Sequence, residues 1–125
     1  MTLGEQFIVS VLTGGSELEL SKINKTWLSE TEATYYDFVV EYYRDNGEIP
    51  NLSVLEDKYG EFEEKASGTP THYLKELKQR HIYTQMVENM PKLLKDMKKD
   101  PMRVFNEIKT VVNNASVESE NTLDI

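Results

Sequence analysis

A chain of 125 residues suits one domain built on one core, and 38% hydrophobic with 29% charged residues favours a folded, water-facing molecule. No apolar run approaches the ~18 residues needed to span a membrane, and the opening Met1–Val9 lacks the basic region and cleavage site of a signal peptide. Without cysteine, disulfides and thiolate metal sites are excluded, as suits a reducing cytosol, where the Asn-x-Ser/Thr triplets at Asn24, Asn51 and Asn114 would be chance matches.

Apolar residues recur at three and four rather than at two, so the reading is all-α. The first helix is predicted from Thr2 to Leu12, with Leu3, Phe7 and Val11 as its buried stripe and Ile8 and Leu12 beside it. Thr2 caps it with Glu5 as reciprocal partner, and Gly14-Gly15 end it. A short turn from Ser16 to Ile23 is anchored by Leu18, Leu20 and Ile23.

Ser29 and Glu32 have the form of a capping box, opening a helix that runs to Asp45. Tyr35, Phe38, Val39, Tyr42 and Tyr43 fall on one face, widened by Tyr36 and Val40, which predicts the central helix of the core. Asn46-Gly47 stop it. Pro50 turns the chain, and a short helix with Ser53 and Glu56 as a second capping box ends at Gly60. Glu61 to Pro70 reads as a polar connector.

One long helical pattern then runs from Thr71 to about Lys98 through Leu74, Leu77, Tyr83, Met86, Val87, Met90, Leu94 and Met97. Pro91 interrupts it, at a cost of ~3 kcal/mol in a regular helix, so a kink or break is expected near Val87–Met90. Asp100-Pro101 starts a last helix with Val104, Phe105, Ile108, Val111 and Val112 on one face, ending at Asn113-Asn114. Helices joined by so few residues lie antiparallel, so residues 80–113 form a hairpin. A two-helix hairpin has little core of its own. Its apolar face needs a covering, either from the preceding helices or from a second copy. The resulting architecture is a globular part over 1–70, a long helix and hairpin over 71–113, and a flexible stretch over 114–125.

Charge is divided along the chain. Residues 1–74 hold 14 acidic and 5 basic residues; residues 75–109 hold 9 basic and 5 acidic. The acidic total argues against non-specific DNA binding. The basic segment is either a solvated helix face or an attraction between one copy and the next.

Catalytic signatures are missing from the sequence. Gly14-Gly15-Ser16 is not embedded in a phosphate-loop motif. His72 and His81 fall on opposite sides of a helix and cannot share a metal. No GxSxG elbow supports a triad. Glu61, Glu63 and Glu64 form a solvated run, and Tyr35, Tyr36, Tyr42 and Tyr43 lack the interleaved basic residues of a base-stacking platform. We therefore expect no cofactor, no metal and no enzymatic activity in this segment.

Three pieces in order resemble the N-terminal domain of DnaB-type replicative DNA helicases, as encoded by bacteriophages. They are the Gly4-Glu5-Gln6-Phe7-Ile8-Val9-Ser10-Val11-Leu12 opening helix, the Phe38–Leu55 stretch with its Ile49-Pro50 corner and Leu52/Leu55 helix start, and the Tyr73–Val112 fold-back. Pro91 departs from the family pattern, and the ATPase motor of the family lies outside this sequence. The resemblance implies a non-catalytic collar domain that assembles subunits, as a dimer or as the collar of a hexamer, and docks primase or a helicase loader in the bacterial cytoplasm. It places subunit contacts at Met86, Met90, Leu94, Met97, Phe105, Ile108 and Val112, and a linker to the motor from Ser116. It implies no membrane partner and no sequence-specific nucleic-acid contact. The alternatives are a free-standing loader or inhibitor that binds the helicase, and a single-strand binding module using Lys92, Lys95, Lys98, Lys99 and Arg103.

Overall fold

The computed structural model describes residues 1–62 and 67–116, and every regular element among them is helical. The helices are α1 (Leu3–Gly14), α2 (Glu17–Lys22), α3 (Glu30–Asn46), α4 (Leu52–Tyr59), α5 (Pro70–Asp96) and α6 (Pro101–Ser116), with a 3₁₀ turn over Lys25–Trp27. Glu63, Glu64 and the stretch from Val117 onward, which carries most of the expected linker, lie outside the described residues. The chain forms two compact units. One is Met1–Leu77, and the other spans Lys78–Val117. The boundary falls within α5.

In the first unit the starts of the helices are set by side chains that satisfy free backbone N–H groups. Thr2 Oγ1 accepts from the Glu5 N–H of α1. Ser16 and Glu19 form a reciprocal capping box on α2, and Ser29 and Glu32 form another on α3. Gly47, with φ of 77°, ends α3 in the left-handed region that a side chain would strain. Thr69 caps α5 through the His72 N–H, with Pro70 at its first position.

The core is organised around α1, which packs on α2, α3 and α4. Phe7, Ile8, Val9, Ser10 and Val11 are all buried, so α1 is enclosed on nearly every side. The expectation that α3 is the central helix is therefore corrected. Of the stripe predicted on α3, only Val39 is fully buried; Tyr36 and Glu32 complete the inward line. Tyr35 and Phe38 are half-buried and pack edge-on against Tyr59, with Phe62 meeting Tyr35. The reason is that an aromatic run satisfies two adjacent helix faces equally. The face holding an aliphatic and a capping carboxylate went inward, while the other rings formed a satellite cluster over α4.

Three further expectations change. Leu18 is 63% exposed rather than an anchor; in a helix of six residues only Leu20 can face α1, with Ile23 buried just after it. The Ser53–Glu56 capping box is absent: α4 starts at Leu52 after Asn51, and Glu56 Oε2 instead accepts the Phe62 N–H at 3.1 Å. In α5, helix continues through Pro91 to Asp96, with no break. The Pro91 ring lies at an exposed position, so the lost backbone bond to Val87 is the main cost, and the turns on either side keep theirs. α6 also runs two residues beyond Asn114, to Ser116.

Candidate partner-binding surface

The second unit is a helical hairpin. Its tight connection is built by Asp96, whose carbonyl accepts the N–H groups of Lys99 (3.0 Å) and Asp100 (3.1 Å). Asp100 then caps α6: its Oδ1 accepts the Arg103 N–H at 3.0 Å, and Pro101 occupies the first helical position. The antiparallel course follows from the pairs that meet. Asp96 meets Arg103, Asn89 and Lys92 share a cleft with Asn106 and Thr110, and Met86 shares another with Val112.

Arg103 gathers the acidic side chains of the turn. Its guanidinium lies 3.0 Å from Asp96, 2.8 Å from Glu107 and 3.9 Å from Asp100. The hydrogen bond to Asp96, then the charges of Asp96, Glu107 and Asp100, hold its pKa further above the ordinary value. By contrast, Lys92, Lys95, Lys98, Lys99 and Lys109 are exposed and have no carboxylate partner among the described residues. The hairpin surface is thus lysine-rich and electrostatically unsatisfied.

Only Leu93 and Val104 are fully buried apolar side chains among the described residues of this unit. They form the seam. The seven positions assigned to subunit contacts are solvent-facing: Met86, Met90, Leu94, Met97, Phe105 and Val112 are exposed, from 37% at Val112 to 61% at Phe105, and Ile108 is half-buried. Five of the seven converge. Met86, Met90, Met97, Ile108 and Val112 line one cleft of about 70 Å³, together with Leu93 and Asn89. Leu94 and Phe105 are outside the cleft lining, on the same hairpin.

Sequence reasoning chose Leu94 and passed over its neighbour Leu93. The spacing Met86, Met90, Leu93, Met97 (four, three, four) is that of a helix–helix seam and could have identified it. Tyr83, Val87 and Met102 add further exposed apolar surface.

Elsewhere, His81 is held below its ordinary pKa by partial burial, with Arg80 acting the same way and Glu88 opposing. No three His, Asp or Glu side chains come together as a metal site among the described residues. None of the described helices is long and apolar enough to cross a membrane. No protein-family model, curated protein or solved structure matches the chain.

Proposed function

We propose that this chain is the non-catalytic N-terminal collar domain of a bacteriophage replicative DNA helicase of the DnaB type, acting in the bacterial cytoplasm to assemble subunits and to dock primase or a loader. The observation that supports this reading most is the apolar face of the hairpin. An apolar cleft with exposed methionine, leucine and phenylalanine around it is a surface that a partner protein would cover. Methionine suits such a surface, since its unbranched chain adapts to what it meets. A helical first unit followed by a hairpin agrees with the order of elements that the resemblance implies.

The test is the mass of the chain in solution. Light scattering over a concentration series is expected to show self-association of the wild type, and its loss in Leu94→Asp and Phe105→Asp. Both residues are exposed, so neither change should unfold the chain, which circular dichroism would verify. A constant monomer mass for the wild type at every concentration would overturn the assembly role.

A further inference from the structure

The charge of the hairpin bears on how copies join. If two hairpins met symmetrically, each cleft rim, with its unpaired Lys92, Lys98 and Lys109, would face the same lysines on the partner. Like charges brought together in this way oppose association. The cleft itself is lined by carbon and sulfur apart from Asn89. At about 70 Å³ it has room for several waters, where a water needs ~10–15 Å³, but offers them few partners. It fits an occupant with one aliphatic knob and flanking carboxylates.

The first unit presents such a knob. Leu18 is the single exposed large apolar side chain there among the described residues, at 63%, and it stands between Glu17 and Glu19 on α2. Its own helix uses it for nothing inward: Leu20 fills the core position. Glu19 is fixed by the Ser16 N–H and Oγ at 2.8 and 2.7 Å, so the short helix is a stiff mount.

We propose that the hairpin cleft of one copy receives Leu18 of a second copy, with Glu17 and Glu19 of the second copy set against the lysines at the cleft rim. This rests on the assembly reading above and specifies the geometry of the contact. The interface is heterologous: each copy has one knob and one cleft, on different surfaces. Heterologous contacts propagate into a ring if the rotation closes and into a filament if it does not. Charge complementarity speeds encounter and sets the register, while the buried leucine supplies the apolar term.

Two variants of the full chain test it, Leu18→Asp and Met90→Asp, both at exposed positions. Sedimentation velocity is run on each alone and on their equimolar mixture. The proposal expects each variant alone to be monomeric where the wild type associates. The mixture should form a one-to-one complex and stop there, because one intact knob and one intact cleft remain. That complex should weaken as salt is raised. If Leu18→Asp associates like the wild type while Met90→Asp does not, the heterologous geometry is overturned and the assembly reading stands. A wild type that stays monomeric at every concentration overturns both and gives the cleft to a different protein.

Discussion

The carboxylate of Glu32 joins the starts of two helices. Its Oε2 accepts the Gly4 N–H of α1 at 2.9 Å, and its Oε1 accepts the Ser29 N–H ahead of α3 at 2.9 Å. The side chain is 1% exposed, and the two partners are 28 and 3 residues away in sequence. A negative group placed between two helix N-termini meets unpaired N–H donors and the positive ends of both helix dipoles. A buried carboxylate is thereby supplied with donors, and α1 is locked to α3 at a defined angle.

Gly4 is required by this arrangement for space, not for backbone freedom. A Cβ built on Gly4 would collide with Glu32 Cδ and Cγ, inside the fold where the carboxylate cannot swing away. On helix propensity alone Gly4→Ala should stabilise α1 by up to ~1 kcal/mol. We expect the opposite: a loss of ~1–3 kcal/mol from overpacking and a displaced hydrogen bond. Urea denaturation decides, and a variant as stable as the wild type would show that Glu32 has room to move.

Glu32→Gln tests the charge separately from the shape. A carboxylate accepts at both oxygens, whereas an amide accepts at one and presents N–H₂ at the other. Whichever way the amide is turned, one of the Gly4 and Ser29 N–H groups faces a donor. The expected cost is ~1–3 kcal/mol, the range for a buried donor left unsatisfied. The pair should also be coupled: in a Glu32→Ala background, Gly4→Ala should lose its penalty. Additive free energies would mean that the two residues do not act on each other.

These relationships show which parts of the fold could be read from the chain. Ser29 and Glu32 spell a capping box locally, and the box is there. That the same carboxylate also reaches Gly4 is a tertiary fact with no periodic signal. Capping boxes at Ser16 and Ser29 form, while the similar Ser53–Glu56 spacing does not, because Glu56 is drawn to the Phe62 N–H instead. Burial was legible where a helix has one apolar stripe, as for Phe7 and Val11, and ambiguous where aromatic residues fill two faces, as on α3. The candidate surface was legible as a Met-rich hairpin. Which residues of that hairpin become its seam turned on a single step along the helix, from Leu94 to Leu93. The exposed Leu18 was read as core because a leucine in a short helix carries no sign of its direction.

Pro91 offers a gain of stability. α5 continues on both sides of it, so the backbone there is already helical. Pro91→Ala should restore an N–H to the carbonyl of Val87 and raise stability by as much as ~3 kcal/mol, seen as stronger helical ellipticity and a later denaturation midpoint. Unchanged stability would mean that the surroundings of Pro91 absorb the cost, for example through water on the Val87 carbonyl. If self-association weakens at the same time, the local shape imposed by the proline belongs to the binding face.

The two units should differ in stability, and the weaker should respond to concentration. Twelve of the fourteen buried apolar side chains lie in Met1–Leu77, and Leu93 and Val104 alone in the hairpin. With full burial of such a side chain contributing ~1.5–3 kcal/mol, two are too few to offset the ordering of some 35–40 residues at ~1–2 kcal/mol each. Hydrogen exchange should accordingly find amides of α6 and of α5 beyond Lys78 opening far more often than those of α1. A partner that binds the ordered hairpin raises its protection by mass action. In the wild type that protection should therefore climb with protein concentration, and in Met90→Asp it should stay at the dilute value. Equal protection of α1 and α6 in dilute solution would mean that the hairpin is stable without a partner, and its exposed apolar face would then need another explanation.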